Sequence, residues 1–538
     1  MDNSKVIGTI NQLLHNRGIK QEERLNTLIS LFEKRKNGIV DPTFTDILEL
    51  IDGFDYSDKD LVQELFMLFG SKLTKYRLDQ FYTPITISQF INGCMEPNKK
   101  AIDPAGGTGD LLLFYNGHKT LWDIDPAVLQ LCRFNYELNK QTNYEVACKN
   151  SLAEFEESAG TYDYVTMNPP FGSSTTITDK TILSKFELGN GKKKQEIGIL
   201  FVELGLRLLK PDGILFVITP AGYAGNINKQ FIEMRELLLR NRVIASIELP
   251  KNTFKRSGTG VNTYLWIIQK KNSVTDSYPI FIDSIERIGY NLTKSNTPRL
   301  YKIIKETGEQ VIENGKLVVD NDLDSCLLKL KKFDEDEVKD ENAYEYVMSN
   351  MLTISILDVK RYSKSYTTVV NRMKNEGAVK INTLVKIITA TTKIESTKKY
   401  KYIDIGEISS PMYSYKDLYG WELPSRAKYT LKKYDILISK LEGTLSYCVI
   451  LDDADNYIST NGVAVLRPNN KNALYTLFAS VIKKDFAIQH KAYLTGSIMA
   501  SLGDKDLGEF WIETKVDVTK TKKILDTLED LTALRVNE

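Results

Sequence analysis

An asparagine, two prolines and an aromatic ring, Asn168-Pro169-Pro170-Phe171, close an apolar, strand-like run, Tyr162-Asp163-Tyr164-Val165-Thr166-Met167. The asparagine side-chain oxygen and the carbonyl oxygen of the next residue can accept both hydrogens of an exocyclic amino group. Each proline ring fixes its own φ, and the second restricts the residue before it, so the backbone that presents these acceptors is stiff. Phe171 can stack on a planar base. Asn-Pro is also a common turn dipeptide, and alone the element would read as a strand stop.

Upstream, Asp103-Pro104-Ala105-Gly106-Gly107-Thr108-Gly109-Asp110 follows a short apolar strand and precedes a helix start. Glycine lets backbone approach a ligand closely, because no Cβ stands in the way. Asp123, at the end of the next strand, can accept hydrogen bonds from ribose hydroxyls. A dinucleotide fingerprint starting at Gly107 needs glycine at position 112, which is Leu112. The turn therefore suits S-adenosylmethionine, whose positive amine Asp103 could meet. Gln80-Phe81-Tyr82-Thr83-Pro84 precedes an apolar helix, with Thr83 predicted as N-cap and Pro84 as the first helical residue.

In this order the motifs resemble the γ-type DNA amino methyltransferases, where F-Y-T-P is followed by D-P-x-x-G-x-G and then N-P-P-F/Y. The modification subunit of type I restriction–modification systems is the nearest form of that pattern. The resemblance spans roughly residues 70 to 290 and takes in Leu249-Pro250-Lys251-Asn252-Thr253-Phe254, Ser257 to Thr263 and Ile285 to Tyr290. It implies a Rossmann-like α/β fold, S-adenosyl-L-methionine as cofactor and adenine N6 in double-stranded DNA as target. It places Phe81, Tyr82 and Thr83 at the methionine end of the cofactor, Asp103 at its amine and Asp123 at its ribose. Ala105, Gly107, Gly109, Ile124 and Asn168 complete the contacts, with Asn150 at the adenine edge in place of the usual acidic residue. Asn168, Pro169, Pro170 and Phe171 become the catalytic set, needing neither metal nor strong base. Cytosine N4 methylation, protein glutamine methylation and an inactive DNA-binding module remain as alternatives.

Alternation of strands and helices between about 76 and 275 predicts a parallel sheet with helices on both faces. The predicted strands are Ala101–Asp103, Thr120–Asp123, Tyr144–Cys148, Tyr162–Met167, Gly213–Thr219, Val243–Glu248 and Asn262–Ile268. Helices should start near Asp110, Pro126, Gly198 and Asn228. The domains read as a helical region over 1–75, the catalytic domain over 76–330, a solvated charged connector over 331–344 and a mixed α/β region over 345–538. Ser173 to Glu196 reads as a mobile loop beside the site.

The last region carries Lys401-Tyr402-Ile403-Asp404-Ile405, Leu431 to Lys440 and Thr495-Gly496-Ser497, and resembles one target-recognition domain of a type I specificity subunit. That resemblance implies DNA contacts from Lys399, Lys401, Lys432 and Lys440 among neighbouring lysines and tyrosines; Tyr434 stands where glycine is usual. With a net charge of +1, any DNA surface must be local. Five cysteines without CxxC spacing and three histidines leave no structural zinc pattern. The N-terminus has no apolar signal core and no run reaches membrane-spanning length, so a cytoplasmic protein is expected. One recognition domain predicts a monomer that methylates one strand of an asymmetric site, alone or with a separate restriction or defence subunit.

Overall fold

The computed structural model describes residues 3–53, 65, 82–170, 175–255, 260–271, 274–294, 298–313, 315–336, 339–340, 342–453, 456–496 and 500–536. The chain forms two compact units, Met1–Leu357 and Asp358–Glu538.

The first unit is built on one nine-stranded sheet. Its strands are β1 (Lys100–Asp103), β2 (His118–Asp123), β3 (Tyr144–Cys148), β4 (Tyr162–Met167), β7 (Leu209–Pro220), β8 (Arg242–Glu248), β9 (Thr263–Gln269), β10 (Pro279–Ser284) and β13 (Glu345–Met348). Two short ladders pair β5 (Thr176–Ile177) with β6 (Gln195–Glu196), and β11 (Ile312–Glu313) with β12 (Lys316–Leu317). The order across the large sheet is β13-β10-β8-β9-β7-β4-β1-β2-β3. All seven predicted strands are present within a few residues of their expected bounds.

The sheet departs from the expected all-parallel form at β9, which lies antiparallel between β7 and β8, and at the edge strand β13. A strand that returns directly beside its predecessor, as β9 does beside β8, needs no crossover helix. The carboxyl ends of β1, β2, β3 and β4 share one edge. Chain order reverses there, with β2 on one side of β1 and β4 on the other. Open α/β sheets bind ligands outside such a switch point.

The faces of the sheet are covered as its composition requires. Helix Ile85–Gly93 packs Ile87, Phe90 and Ile91 into a core shared with Phe216, Leu265 and Phe281. Helix Ile197–Leu208 is buried nearly all round, as its mostly apolar sequence, broken only by Glu203 and Arg207, demands. The N-terminal helices Asn3–Asn16, Arg24–Lys36 and Thr45–Asp52 gather Ile10, Leu14, Leu28 and Ile47 against Leu131, Phe134 and Leu138 of helix Pro126–Leu138. Phe32 and Phe134 meet edge to face at 5.0 Å. The helical region is thus a packing partner of the catalytic sheet.

Three expectations are corrected. The glycine turn opens into a single 3-10 turn, Asp110–Leu112, because only a short connection separates β1 from β2. Residues 175–196 form a packed element, with β5 paired to β6, Leu183, Phe186 and Leu188 buried, and Glu203 accepting the Glu187 and Leu188 N–H groups at 2.7 and 2.8 Å. The run at 331–344 begins inside helix Leu323–Glu335, where Phe333 is buried against Phe281 and Tyr344, and β13 follows it. The first unit accordingly runs to Leu357.

The second unit contains two four-stranded sheets. One pairs β15 (Val385–Ile388), β24 (Val463–Pro468), β21 (Ile436–Ser439) and β22 (Tyr447–Val449); the other pairs β19 (Lys416–Tyr419), β16 (Lys399–Ile403), β23 (Tyr457–Thr460) and β20 (Ala427–Thr430). Two further small ladders join β14 (Val379–Lys380) to β25 (Trp511–Ile512) and β17 (Ile408–Ser409) to β18 (Met412–Tyr413). Tyr434 adopts φ +71°, the left-handed conformation that glycine suits. The final helix, Val518–Val536, buries Leu525 and Leu528 in the unit's own core. Among the described residues no helix is long and apolar enough to cross a membrane.

Candidate active site

Four of the residues singled out from the sequence stand at or just beyond four adjacent strand ends: Asp103 ends β1, Asp123 ends β2, Asn150 follows β3 and Asn168 follows β4. The parallel register among these strands brings them to one edge. Local hydrogen bonds then lace the loops together. Gly106 N–H donates to the Trp122 carbonyl at 2.8 Å, and Gly107 N–H to Asp123 Oδ2 at 3.0 Å. The other Asp123 oxygen accepts the Asp125 N–H at 3.0 Å. Lys149 N–H donates to the Asp123 carbonyl, and Ser151 Oγ to the Pro104 carbonyl at 2.5 Å.

Gly109 is required by its conformation and surroundings. Its φ is +82°, and a Cβ there would lie 2.4 Å from the Tyr136 ring and 2.9 Å from Cys132 Sγ. Tyr136 donates its hydroxyl to the Gly109 carbonyl at 3.0 Å, so helix Pro126–Leu138 grips the turn from behind.

Both acids feel their surroundings. Asp103 is buried, and desolvation pushes its carboxyl well above the ordinary range, against one opposing hydrogen bond from the Ala105 N–H at 3.0 Å; the Asp123 carboxylate adds to the rise. Burial also raises Asp123, offset in part by the N–H donors of Asp125 and Gly107. A buried carboxyl that is costly to ionise alone is suited to a cationic partner.

Asn168 is half-buried and Pro169 is buried, while Pro170 is exposed. The Asn168 amide nitrogen donates to Thr83 Oγ1 at 3.4 Å, which sets Oδ1 as the other branch of the amide. Thr83 is not the helix cap expected from the sequence: helix Ile85–Gly93 starts one residue later with Pro84 in the N-cap position and no side-chain cap. The hydroxyl faces Asn168 instead. Tyr82 and Thr83 are 6 % and 3 % exposed, Tyr82 in the cluster that holds Leu131 and Phe134 and Thr83 against Asn168. Phe81 and Phe171 fall outside the described residues. Behind the turn, Tyr223 is buried and donates its hydroxyl to Glu196 Oε1 at 2.7 Å. Gly198 separates that hydroxyl from the Pro170 carbonyl: a Cβ would lie 2.5 Å from the first and 3.4 Å from the second.

A cavity of about 180 Å³ opens between the loops, lined by Ala105, Asp123, Ile124, Asn150 and Pro170 among others. Ile124 is 66 % exposed, an apolar side chain held open to the cleft rather than packed. The cavity is below the roughly 300–1,000 Å³ that encloses a whole drug-sized ligand, and its apolar walls suit one planar ring. Leu152, Ile177, Ile182, Ile197 and Phe201 also line it and were not foreseen. Leu152 carried a signal, an apolar residue just past a polar strand end. The others come from distant segments and carried none. The residues fit S-adenosyl-L-methionine: a buried acid for an amine, a second acid for ribose hydroxyls, and an apolar slot with an amide edge for adenine.

In the second unit, Lys399 is exposed at one end of β16 and Lys432 is exposed beside β21. Lys401 lays its ammonium over the rings of Tyr415 and Tyr457 at 4.8 and 4.9 Å. Lys440 departs from expectation. Its ammonium is 2.8 Å from Asp504 Oδ1 and its side chain only 14 % exposed, so the charge is spent inside the unit.

A family profile described as N-6 DNA Methylase matches residues 60–345, just over half of the chain. No curated protein sequence matches. Among solved structures, a Listeria monocytogenes protein assigned to the class I S-adenosylmethionine-dependent methyltransferases is 18 % identical, with a TM-score of 0.42 over 55 % of this chain and 94 % of its own. The type I restriction–modification methyltransferase subunit from Streptococcus thermophilus is 17 % identical, with a TM-score of 0.42 over 67 % of this chain and 80 % of its own. A Vibrio vulnificus protein assigned as a type I restriction enzyme modification subunit is 19 % identical, with a TM-score of 0.39 over 57 % and 64 %.

Proposed function

The chain belongs to the N-6 DNA methylase family, and on that premise we propose how its residues divide the work of an adenine-specific, S-adenosyl-L-methionine-dependent DNA methyltransferase. Asp103 holds the amine of the cofactor and Asp123 its ribose, while Ile124, Asn150 and the turn residues Ala105, Gly107 and Gly109 border its adenine. Tyr82 and Thr83 border its methionine end. When bound, the cofactor supplies an electrophilic methyl group.

The remaining work is positioning. Adenine N6 is a poor nucleophile because its lone pair is delocalised into the ring. Asn168 Oδ1 and the Pro169 carbonyl accept its two N–H hydrogens, which draws the nitrogen toward tetrahedral geometry and localises that lone pair. The stiff Pro169-Pro170 backbone keeps both acceptors fixed as charge develops, the arrangement that makes electrostatic preorganisation effective. An adenine stacked in a duplex cannot reach the turn, so the base is flipped out before reaction, with Phe171 as its stacking partner. Residues 358–538 supply target recognition, with Lys399, Lys401 and Lys432 toward phosphates. The order of the motifs supports a restriction–modification or defence setting, and the chain acts as a monomer.

The observation that carries this reading is the convergence of Asp103, Asp123, Asn150 and Asn168 at four neighbouring strand ends, with Thr83 against Asn168. Incubation with duplex DNA and labelled cofactor, followed by nucleoside analysis, should yield N6-methyladenine. Label in cytosine N4 or in protein glutamine would replace the reading by one of its alternatives.

A further inference from the structure

Trp421 is 70 % exposed, whereas Trp122 and Trp266 are buried. Its backbone is held as firmly as a core element. Glu422 N–H donates to the Tyr419 carbonyl at 2.8 Å, and Tyr419 N–H to Glu422 Oε2 at 2.7 Å, closing the turn after β19. Gly420 N–H donates to the Lys398 carbonyl at 2.9 Å and Trp421 N–H to the Ser396 carbonyl at 3.1 Å, fastening it to the turn before β16. A Cβ on Gly420 would sit 2.1 Å from the Glu395 carbonyl oxygen, so the two turns meet backbone to backbone. Four hydrogen bonds and an obligatory glycine hold the backbone that presents this indole to solvent. An aromatic side chain buries 150–250 Å² when it finds a partner, roughly, and here that area is left available.

The surroundings select the partner. Tyr419, 46 % exposed, lies opposite Lys399 in the β16–β19 register, and Lys398 is exposed next to it. Lysine is depleted at protein–protein interfaces. A ligand with negative charge along its backbone and flat apolar faces between the charges satisfies both kinds of side chain. We propose that the Tyr419–Glu422 turn is a DNA wedge: Trp421 inserts at or stacks on a base step while Lys398 and Lys399 meet the adjoining phosphates. The inference rests on reading residues 358–538 as the recognition unit and adds the element that engages the bases. Wedge side chains unstack and kink a duplex, which also eases the extrusion of a nearby base.

The test uses the full chain and random-sequence duplex DNA at fixed low salt. DNA should shield Trp421 from acrylamide, a change absent in Trp421→Phe because the reporting indole is gone. Trp421→Ala should weaken binding about tenfold or more while Trp421→Phe stays near wild type. The salt slope should be unchanged in Trp421→Ala and reduced by about one in Lys399→Gln. Wild-type affinity in Trp421→Ala with weakened Lys399→Gln would overturn the wedge and leave the recognition unit standing. Wild-type affinity in both would overturn the recognition reading as well. Shielding of Trp421 that grows with protein concentration, and not with DNA, would assign the turn to self-association and overturn the proposal.

Discussion

The cofactor side and the substrate side of the same sheet edge are held by different means. After β1, β2 and β3 the loops are tied to one another by short hydrogen bonds, from Gly106 to Trp122, Gly107 to Asp123 and Ser151 to Pro104. After β4, the Asn-Pro-Pro turn relies on proline stiffness, a 3.4 Å contact from Asn168 to Thr83 and the support of Gly198. Laced loops make a pocket that exists before its ligand arrives, which lowers the ordering cost of binding. A turn stiffened by its own rings instead keeps its acceptors aimed at a nitrogen that comes and goes with the DNA. The two halves should therefore fail differently: damage on one side should appear in cofactor affinity, and damage on the other in turnover.

Asn168→Ala is the largest expected break. It removes one of the two acceptors for the amino group and the contact to Thr83 but none of the cofactor-side loop ties, so kcat should fall about 10²–10³-fold. Cofactor affinity by calorimetry should stay within about twofold, since a group acting on the reacting atoms is felt in kcat. Near-normal turnover would end the proposed role.

Asp123→Ala reverses the pattern. Its carboxylate accepts the Gly107 and Asp125 N–H groups as well as facing the proposed ribose position. Loss of charged hydrogen bonds of this kind costs about 1.5–3 kcal/mol, or about 10–100-fold in cofactor Kd. DNA affinity should be unchanged. Unaltered cofactor affinity would remove the ribose assignment and the contrast between the two halves with it.

The same contrast explains what could be read from the chain. Strands β1 and β2 each end on an acid and β4 is followed at once by Asn168, so these three polar residues, each breaking an apolar run, advertise themselves locally. The inserted strand β9 was visible as a strand but not as antiparallel, because direction depends on which neighbours it joins. Strand β10 and the edge strand β13 beyond it were missed, β13 being only four residues long and set in charged sequence. Phe333 looked like part of a solvated run because its charged neighbours outnumber it, although a single buried aromatic can dock a helix. Lys440 shows the opposite limit: a lysine looks the same in sequence whether it faces solvent or Asp504. Ile177, Ile182, Ile197 and Phe201 line the cavity only because the segment after β4 folds back over it.

Gly198→Ala tests the support of the substrate side. Alanine would ordinarily stabilise a helix interior by about 1 kcal/mol, yet here the new methyl would meet the Tyr223 hydroxyl at 2.5 Å. The clash should push on the neighbouring Pro170 carbonyl and lower kcat roughly tenfold, in line with overpacking costs of about 1–3 kcal/mol. Adding Tyr223→Phe removes the offending oxygen and leaves the ring carbon 3.3 Å away. The double variant should regain part of the lost turnover at unchanged cofactor affinity. A double variant no better than Gly198→Ala would show that the Tyr223 hydroxyl does not set the turn.

The smallest expected effect is a pH dependence confined to the cofactor side. Burial raises the Asp103 carboxyl well above the ordinary range, so the folded protein binds this proton more tightly than the unfolded chain does. Stability without cofactor should consequently fall as pH rises from about 4, the ordinary carboxyl range, toward the raised folded-state value, because the folded state there binds more protons than the unfolded. A bound cationic amine favours the ionised carboxylate, so binding releases a proton and tightens over the same window. Each titrating group adds less than about tenfold per pH unit, and Asp123, also raised by burial, contributes beside Asp103. The thermal shift produced by S-adenosyl-L-methionine should accordingly grow as pH rises above the ordinary carboxyl range in the wild type, and Asp103→Asn should reduce that growth. Turnover of cofactor-saturated enzyme should not follow this profile, because Asn168 and the Pro169 carbonyl have no proton to lose. An equal slope in Asp103→Asn would place the titrating group elsewhere and take the amine away from Asp103.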